Sequence, residues 1–417
     1  MKSEENLEKI RNLVGYSGNM DYFCSIVKRR VLTNNQTICF FQDKEKRMDR
    51  QNERIRIKDI ATKSGVSVGT VDRVLHGRPG VSEASRQKVE EILKELDYQP
   101  NVYASALASN RRYLFACIVP QHDRGEYWSD VENGFDRGAR EFSDFNVSII
   151  LEHYDQYRSG SFTEAANSVL QSEPDAVVIS PSVRAETVAF VDRLQEKGIP
   201  YVFIDSNIPE LKPFCFFGQN AEQSGFFAAR MMNLLAGAEK EIVVFRLIYE
   251  GRLGSDQQIY RENGFYRYIN EHAPGLRIWE LNLNAKEPEM SHLEIDYFLL
   301  RHPNVKHGIT FSSRAYLVGE YMTKNNIKDF HLIGYDLLER NVACLREGTI
   351  DFIITQQPTL QGFSCIEALC DNLIMKKPVE PVNYMPITLL SIENVESYLN
   401  VHKKDYSQLV KSWKKLT

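Results

Sequence analysis

Side chains able to bind or to do chemistry collect directly after short apolar runs. Tyr201-Val202-Phe203-Ile204 leads into Asp205, and Gly308-Ile309-Thr310-Phe311 into Ser312 and Ser313. His331-Leu332-Ile333-Gly334-Tyr335 leads into Asp336, and Phe352-Ile353-Ile354-Thr355 into Gln356. The run that begins at Tyr113 is followed by Gln121, His122, Asp123, Tyr127 and Trp128. If the runs are strands of open α/β sheets, these residues stand where such sheets bind ligands, beyond the carboxyl ends of the strands. Two carboxylates, an amide, hydroxyls and aromatic faces suit a small polyol or sugar, which needs fixed hydrogen bonds and a stacking surface. Plainer roles exist for each: Asp205 and Asp336 could cap the adjoining helices, and Trp128 could be core. Catalysis is not expected. The chain has no G-x-S-x-G, H-E-x-x-H or P-loop motif, and no G-x-G-x-x-G after a strand. Asp205 and Asp336 could form an acid/base pair, but no nucleophile, metal or cofactor is indicated.

A second group lies on a short helical period near the start. Ile57, Ile60 and Ala61 share one face of a helix ending near Ser64. Gly65-Val66-Ser67 then makes a turn in which Gly can take positive φ and Ser67 can cap the succeeding helix. That helix, Val68 to Leu75, turns Val71, Val74 and Leu75 inward and leaves Val68, Gly69, Asp72 and Arg73 outward. Ser82 opens a third helix ending near Leu96. This is a helix-turn-helix, whose second helix enters the DNA major groove. Arg73 can grip guanine through two hydrogen bonds. Val68 offers only apolar contact, and Gly69 only close backbone approach. Ser67, Thr70 and Ser82 suit phosphate oxygens. Asp72 is ill placed beside phosphates; it is expected to pair with a neighbouring arginine rather than accept from cytosine.

These elements need a framework, and 417 residues exceed one ordinary domain. A net charge of −5 confines any nucleic-acid footprint to a local patch; residues 54–112 carry eleven Lys/Arg against seven Asp/Glu. The seven cysteines are scattered without a C-x-x-C pair, which reads as reduced thiols rather than a disulfide or zinc framework. Met1 to Arg11 lacks an apolar signal-peptide core, and no apolar run reaches membrane-helix length, so a cytoplasmic protein without membrane contact is expected. Residues 1–54 form a poorly defined extension. Either Met48 is the true start and 1–47 are translated from upstream DNA, or the segment is regulatory; peptides from 1–47 in native protein would exclude the first.

From Tyr113 onward, strands are expected at 113–119, 147–153, 176–180, 200–204, 242–248, 278–281, 307–311, 330–335, 352–355 and 384–390. Amphipathic helices lie between them, the pattern of parallel α/β units. That many strands divide better between two lobes than in one sheet. The tail after Tyr398, with its lysines, reads as a solvated end.

The series Ile57-Lys58-Asp59-Ile60-Ala61, Gly65-Val66-Ser67, Thr70-Val71-Asp72-Arg73-Val74-Leu75, Val81-Ser82 and Tyr98-Gln99-Pro100-Asn101 strongly resembles the lactose-repressor (LacI/GalR) family of bacterial regulators. With the α/β region the resemblance covers about 360 residues. It implies a multidomain protein. A helix-turn-helix DNA-binding domain at 55–100 is followed by a hinge helix or linker at 101–112. A two-lobed α/β core of periplasmic-binding-protein type I occupies 113–395, and a basic tail 396–417. It also implies a hinge helix from Asn101 to Ser109 in which Leu107 wedges between base steps; the alternative is a linker leucine packed on the core. Ser105 replaces the usual family arginine and removes one phosphate contact.

Carried over by the same resemblance, Tyr127 and Trp128 match the aromatic pair covering the ligand. Asp205, Arg261, Asp336 and Gln356 match hydrogen-bonding positions, with Ser313 beside them; an inter-lobe salt bridge is the plainer role for Arg261. Ser206 stands where sugar-binding relatives carry arginine, and Ser313-Arg314 where they carry Asn-Asp. Tyr249, Arg252 and Asp256 are further candidates from the second lobe. The implied protein is a homodimeric regulator, expected to repress, that binds a roughly palindromic double-stranded DNA operator under control of a sugar-like effector. The competing class is a sugar-binding protein without sequence-specific DNA regulation.

Overall fold

The computed structural model describes residues 56–403, apart from 76, 97, 99–110, 240, 250–251, 254–255 and 285–286. The expected hinge, with Asn101, Ser105 and Leu107, therefore lies outside the described residues, as do the extension 1–54 and residues 404–417. The chain divides into two compact units, Met1–Asn101 and Val102–Thr417.

The described part of the first unit is three helices: α1 (Ile57–Ser64), α2 (Val68–Leu75) and α3 (Glu83–Glu95). Asp59 accepts the Arg56 backbone N–H at 2.8 Å and so starts α1. Gly65 ends it at φ 67°, its N–H returning to the Ala61 carbonyl. That left-handed step is cheap only for glycine, and it sets the turn into α2. Ser67 Oγ caps α2 by accepting from the Thr70 N–H at 3.1 Å, and Ser82 Oγ caps α3 by accepting from the Ser85 N–H. Ile60, Val71 and Val89, one from each helix, are fully buried with Ala61 and Val74. A core this small leaves the outward face of α2 to its own side chains.

The second unit has two lobes. The first sheet runs in the order β12-β5-β4-β3-β1-β2, from β1 (Tyr113–Pro120), β2 (Val147–Tyr154), β3 (Ala176–Ile179), β4 (Tyr201–Ile204), β5 (Cys215–Gln219) and β12 (Val382–Met385). All of its pairings are parallel. Such strands are covered on both faces and so are apolar throughout, as β1 is. The second sheet runs β13-β11-β10-β9-β6-β7, with β8 also on β6. Its strands are β6 (Glu241–Tyr249), β7 (Arg252–Leu253), β8 (Arg277–Asn284), β9 (His307–Thr310), β10 (His331–Tyr335), β11 (Phe352–Thr355) and β13 (Thr388–Leu390).

Helices α4 (Tyr127–Glu141), α5 (Ser161–Gln171), α6 (Arg184–Glu196) and α12 (Pro358–Leu373) belong to the first lobe. Helices α7 (Ala221–Ala236), α8 (Asp256–His272), α9 (Pro288–Arg301), α10 (Tyr316–Lys324), α11 (Glu339–Glu347) and α13 (Val395–Lys403) belong to the second. The chain thus changes lobe three times: after β5, after β11, and between β12 and β13. Gln219 ties these crossings together, its Nε2 donating to the carbonyls of Thr355 at 3.3 Å and Pro386 at 3.1 Å.

Three expectations are corrected. The single strand expected at 384–390 is two, β12 and β13, in different sheets; Pro386 lacks the N–H to continue a ladder and falls between them. The tail after Tyr398 does not begin as a solvated end, because Leu399, on α13, packs on the second lobe's core. Strands β5 and β7 are additional to those expected.

Candidate functional site

All seven residues proposed for the ligand line one cleft between the lobes: Tyr127, Trp128, Asp205, Arg261, Ser313, Asp336 and Gln356. Gln121, His122 and Tyr249 line it too, whereas Asp123 does not. The side chains of Arg252 and Asp256 lie outside the described residues. Convergence follows from topology, since parallel strands in both lobes point their carboxyl ends at the same gap.

The cleft has an internal two-fold logic. Asp205 follows β4 and Asp336 follows β10, and both adopt φ 67°. Each donates its backbone N–H at 2.9 Å to the neighbouring strand, Asp205 to Phe217 and Asp336 to Ile354. Two residues beyond those acceptors stand Gln219 and Gln356. Left-handed backbone at a non-glycine residue carries strain of about 1–3 kcal/mol, and such strain gathers at binding sites. Neither carboxylate caps a helix: α11 begins at Glu339 with no side-chain cap, and the short 3₁₀ turn Pro209–Leu211 also has none. Instead Asp205 Oδ1 accepts from the Tyr127 hydroxyl at 3.0 Å, and Asp336 Oδ2 accepts from Gln356 Nε2 at 3.2 Å.

Arg261, on α8, supplies the positive charge. It is buried, donates to the Phe311 carbonyl at 2.8 Å, and stacks 4.1 Å above the Tyr335 ring. Among the described residues it forms no ion pair with a carboxylate, in place of the plainer salt-bridge role; its charge still acts on both aspartates. Burial pushes the Asp336 carboxyl up to about 7, with Arg261 pulling the other way. Asp205 is also raised by burial, against Arg261 and its hydrogen bonds from Tyr127 and Ser206. Arg261 Nε and Nη2, Asp336 Oδ1 and the side-chain carbonyls of Gln257 and Gln356 are buried without a protein partner. Such groups are costly unless something polar meets them.

Several contacts across the cleft have no counterpart in the sequence pattern. Glu126 and Arg314, far apart in sequence, pair at 2.5 Å across it. Tyr157 and Tyr249 stack with centroids 3.8 Å apart, and Gln257 Nε2 donates to the Asp205 carbonyl. Arg314 therefore answers a carboxylate on the opposite lobe. Trp128 is half-buried, edge-on to Tyr127 at 5.1 Å, and packs on core while facing the cleft. Gln219 could have been found only by recognising β5, which would have made it the counterpart of Gln356.

On the first unit, α2 leaves Ser67, Val68, Gly69 and Arg73 exposed, with Thr70 and Asp72 half-buried. Asp72 pairs with Arg78 at 3.3 Å, the arginine partner expected of it. Ser82 is exposed at the start of α3. The exposed face thus carries one long cation, flanked by hydroxyls and a glycine.

A family model for bacterial regulatory proteins of the lacI family matches residues 56–101, and one for the periplasmic binding protein domain matches 115–377. The crystal structure of a provisionally assigned LacI transcriptional regulator from Bacteroides fragilis is 51% identical, covering 69% of this chain and all of that one, with a TM-score of 0.67. The chain belongs to the LacI family of bacterial regulatory proteins. The HTH-type transcriptional regulator DegA of Bacillus subtilis is 26% identical over 156 residues, 37% of this chain and 45% of that protein. This LacI-family chain thus matches less than half the length of such curated relatives. GanP, a glucose-galactose binding protein from Geobacillus stearothermophilus, shares the fold of the larger unit at 20% identity and a TM-score of 0.59, over 69% of this chain and 99% of that one. Among the described residues no helix is long and apolar enough to cross a membrane.

Proposed function

We propose that this LacI-family chain is a cytoplasmic, homodimeric transcription regulator whose operator binding is controlled by a small sugar-like effector held between the lobes. One observation carries the effector half: a buried arginine whose charge acts on two strand-end aspartates lining the same cleft, with buried donors and acceptors of both kinds beside them. A neutral polyhydroxyl molecule meets these needs, because each hydroxyl can donate to a carboxylate and accept from Arg261. Trp128 and Tyr127 would cover its apolar ring face. Isothermal titration with a panel of pentoses and hexoses tests this, and saturable binding that Arg261→Met abolishes is the expected result.

For DNA, Arg73 reads guanine while Ser67, Thr70 and Ser82 hold phosphates and fix register; Val68, Gly69 and Asp72 fill the groove face. Arg73→Ala should weaken operator binding by about 1–3 kcal/mol and relax preference at one base pair per half-site. Selection from randomised DNA at fixed salt checks it. Uniform weakening at every position would place Arg73 on phosphate instead. Asn101 and Leu107 belong to the same reading as hinge contacts.

Self-association is supported by α9. Met290, Leu293, Tyr297 and Leu300 form an exposed apolar stripe along it, with Leu300 80% exposed. A contiguous face of that kind marks an interaction surface, and a palindromic operator requires a two-fold protein. Leu293→Glu combined with Leu300→Glu should give a monomer by sedimentation, without loss of sugar binding. A dimer of unchanged stability would remove this helix from the interface.

A further inference from the structure

His122, Glu132 and His153 stand beside the cleft, and neither the effector nor the DNA reading uses them as a group. They come from three adjacent elements: His122 from the loop leaving β1, His153 from β2, and Glu132 from α4. The parallel register pairs Val119 with His153, which sets the two histidines side by side. Their rings lie 5.6 Å apart. Glu132 Oε1 is 2.5 Å from His153 Nε2 and 3.6 Å from His122 Nε2. All three potential ligand atoms fall within 4.8 Å of one another.

The decisive contact is on the far side of His122. Its Nδ1 lies 2.9 Å from the Pro120 carbonyl, which can only accept, so Nδ1 carries the hydrogen. Nε2 is then the atom that presents a lone pair, and it is aimed at a carboxylate oxygen that also offers lone pairs. Two acceptors facing each other repel unless a hydrogen-bond donor or a cation lies between them, and a metal ion is one group that can bind both. A carbonyl holding the outer ring nitrogen is also the arrangement that orients metal-bound histidines. The His122 side chain is only 7% exposed, whereas His153 is 41% exposed, so the group is held on one side and open on the other.

We propose that His122 Nε2, His153 Nε2 and the Glu132 carboxylate bind one divalent cation of the zinc class. Two imidazoles and a carboxylate suit zinc, cobalt or nickel and disfavour magnesium and calcium, which take oxygen ligands. Tetrahedral coordination with bonds of about 2.0–2.1 Å places donors roughly 3.3 Å apart. Binding therefore requires His153 to ease away from Glu132 and the two histidines to draw together, motions within reach of an exposed side chain. Three protein ligands leave a fourth position for water. Because α4 also carries Tyr127 and Trp128, the cation would brace one wall of the cleft. The inference does not depend on which effector binds there.

Cobalt(II) is the probe, since its visible spectrum reports coordination directly. The full chain, stripped with chelator and dialysed, is titrated with cobalt chloride and the bands are displaced with zinc. The expected result is one equivalent with intense tetrahedral-type bands, and an affinity that falls more than about tenfold in both His153→Ala and Glu132→Gln. Far-ultraviolet circular dichroism of each variant establishes that it is folded. Absence of saturable bands, or equal cobalt affinity in wild type and His153→Ala, would overturn the proposal. The first outcome would leave the three side chains as a hydrogen-bonded cluster only; the second would place the metal elsewhere, for example at the stacked His307–His331 pair.

Discussion

Replacing Asp336 with Asn should weaken effector binding by about 2–5 kcal/mol, roughly thirtyfold to several thousandfold, while stabilising the effector-free protein above pH 7. The two effects share a cause. The carboxylate is buried, receives the Gln356 amide hydrogen, and its Oδ1 has no partner among the described residues. Burial raises its pKa from the ordinary 3.8 to about 7. Between those two values the folded protein holds a proton that the unfolded chain has released. Stability therefore falls as pH rises through that window and levels off above it. Asn carries no such penalty, and it tolerates the left-handed backbone at this position. Urea midpoints should accordingly fall with pH less steeply in Asp336→Asn than in wild type between pH 5 and pH 8. Titration calorimetry at pH 8 would show the lost affinity. Equal pH slopes would mean that the carboxylate is solvated, and unaltered affinity would place the effector away from it.

Gly225→Leu should be severely destructive to the larger unit. A Cβ at Gly225 would lie 1.8 Å from the Arg261 carbonyl oxygen and 2.6 Å from its carbon. One at Gly264 would lie 1.8 Å from the Glu222 carbonyl oxygen, so α7 and α8 cross through a reciprocal pair of glycines. Backbone cannot yield as a flexible side chain can. The helices would have to separate, at a cost above about 4 kcal/mol, and Arg261 would move with them. Thermal unfolding should show a lowered or lost cooperative transition together with loss of sugar binding. Gly275→Ala is the matched control, because a Cβ there meets nothing within 4 Å, and it should change stability by no more than about 0.5 kcal/mol. A folded, sugar-binding Gly225→Leu protein would contradict the close helix crossing.

Much of this architecture is legible in the sequence because the parallel strands are apolar on both faces and end abruptly in polar residues. That contrast alone marks Asp205, Ser313, Asp336 and Gln356 as residues of the cleft. The helix-turn-helix is legible for a different reason: its turn needs Gly65, and its caps need Ser67 and Ser82. The missed elements lack such marks. Strand β5, Cys-Phe-Phe-Gly-Gln, is five residues long, contains a glycine and directly follows Phe214 without a polar boundary. Helix α13 is marked mainly by Val395 and Leu399, amid Glu, Asn and His. What sequence could not give at all is pairing over distance. The Glu126–Arg314 bridge, the Tyr157–Tyr249 stack and the Gln219 clamp join residues whose neighbourhood exists only after the two lobes assemble.

Those cross-cleft contacts also bear on control. An effector can shift operator affinity only by favouring one arrangement of the lobes over another, with coupling of about 1–3 kcal/mol. Glu126–Arg314 and Tyr157–Tyr249 favour the closed arrangement, and an effector bridging Asp205, Arg261 and Asp336 would add to them.

Whether one chain both reads DNA and senses a sugar can be measured by incubating the full-length protein with genomic fragments at fixed salt and sequencing the retained DNA, with and without each of a panel of sugars. A short, roughly palindromic sequence should be recovered, its retention changing severalfold with one sugar and no longer responding to that sugar in Asp336→Asn. Retention that depends on salt but not on sequence, or a palindrome indifferent to every sugar that binds the cleft, would contradict it.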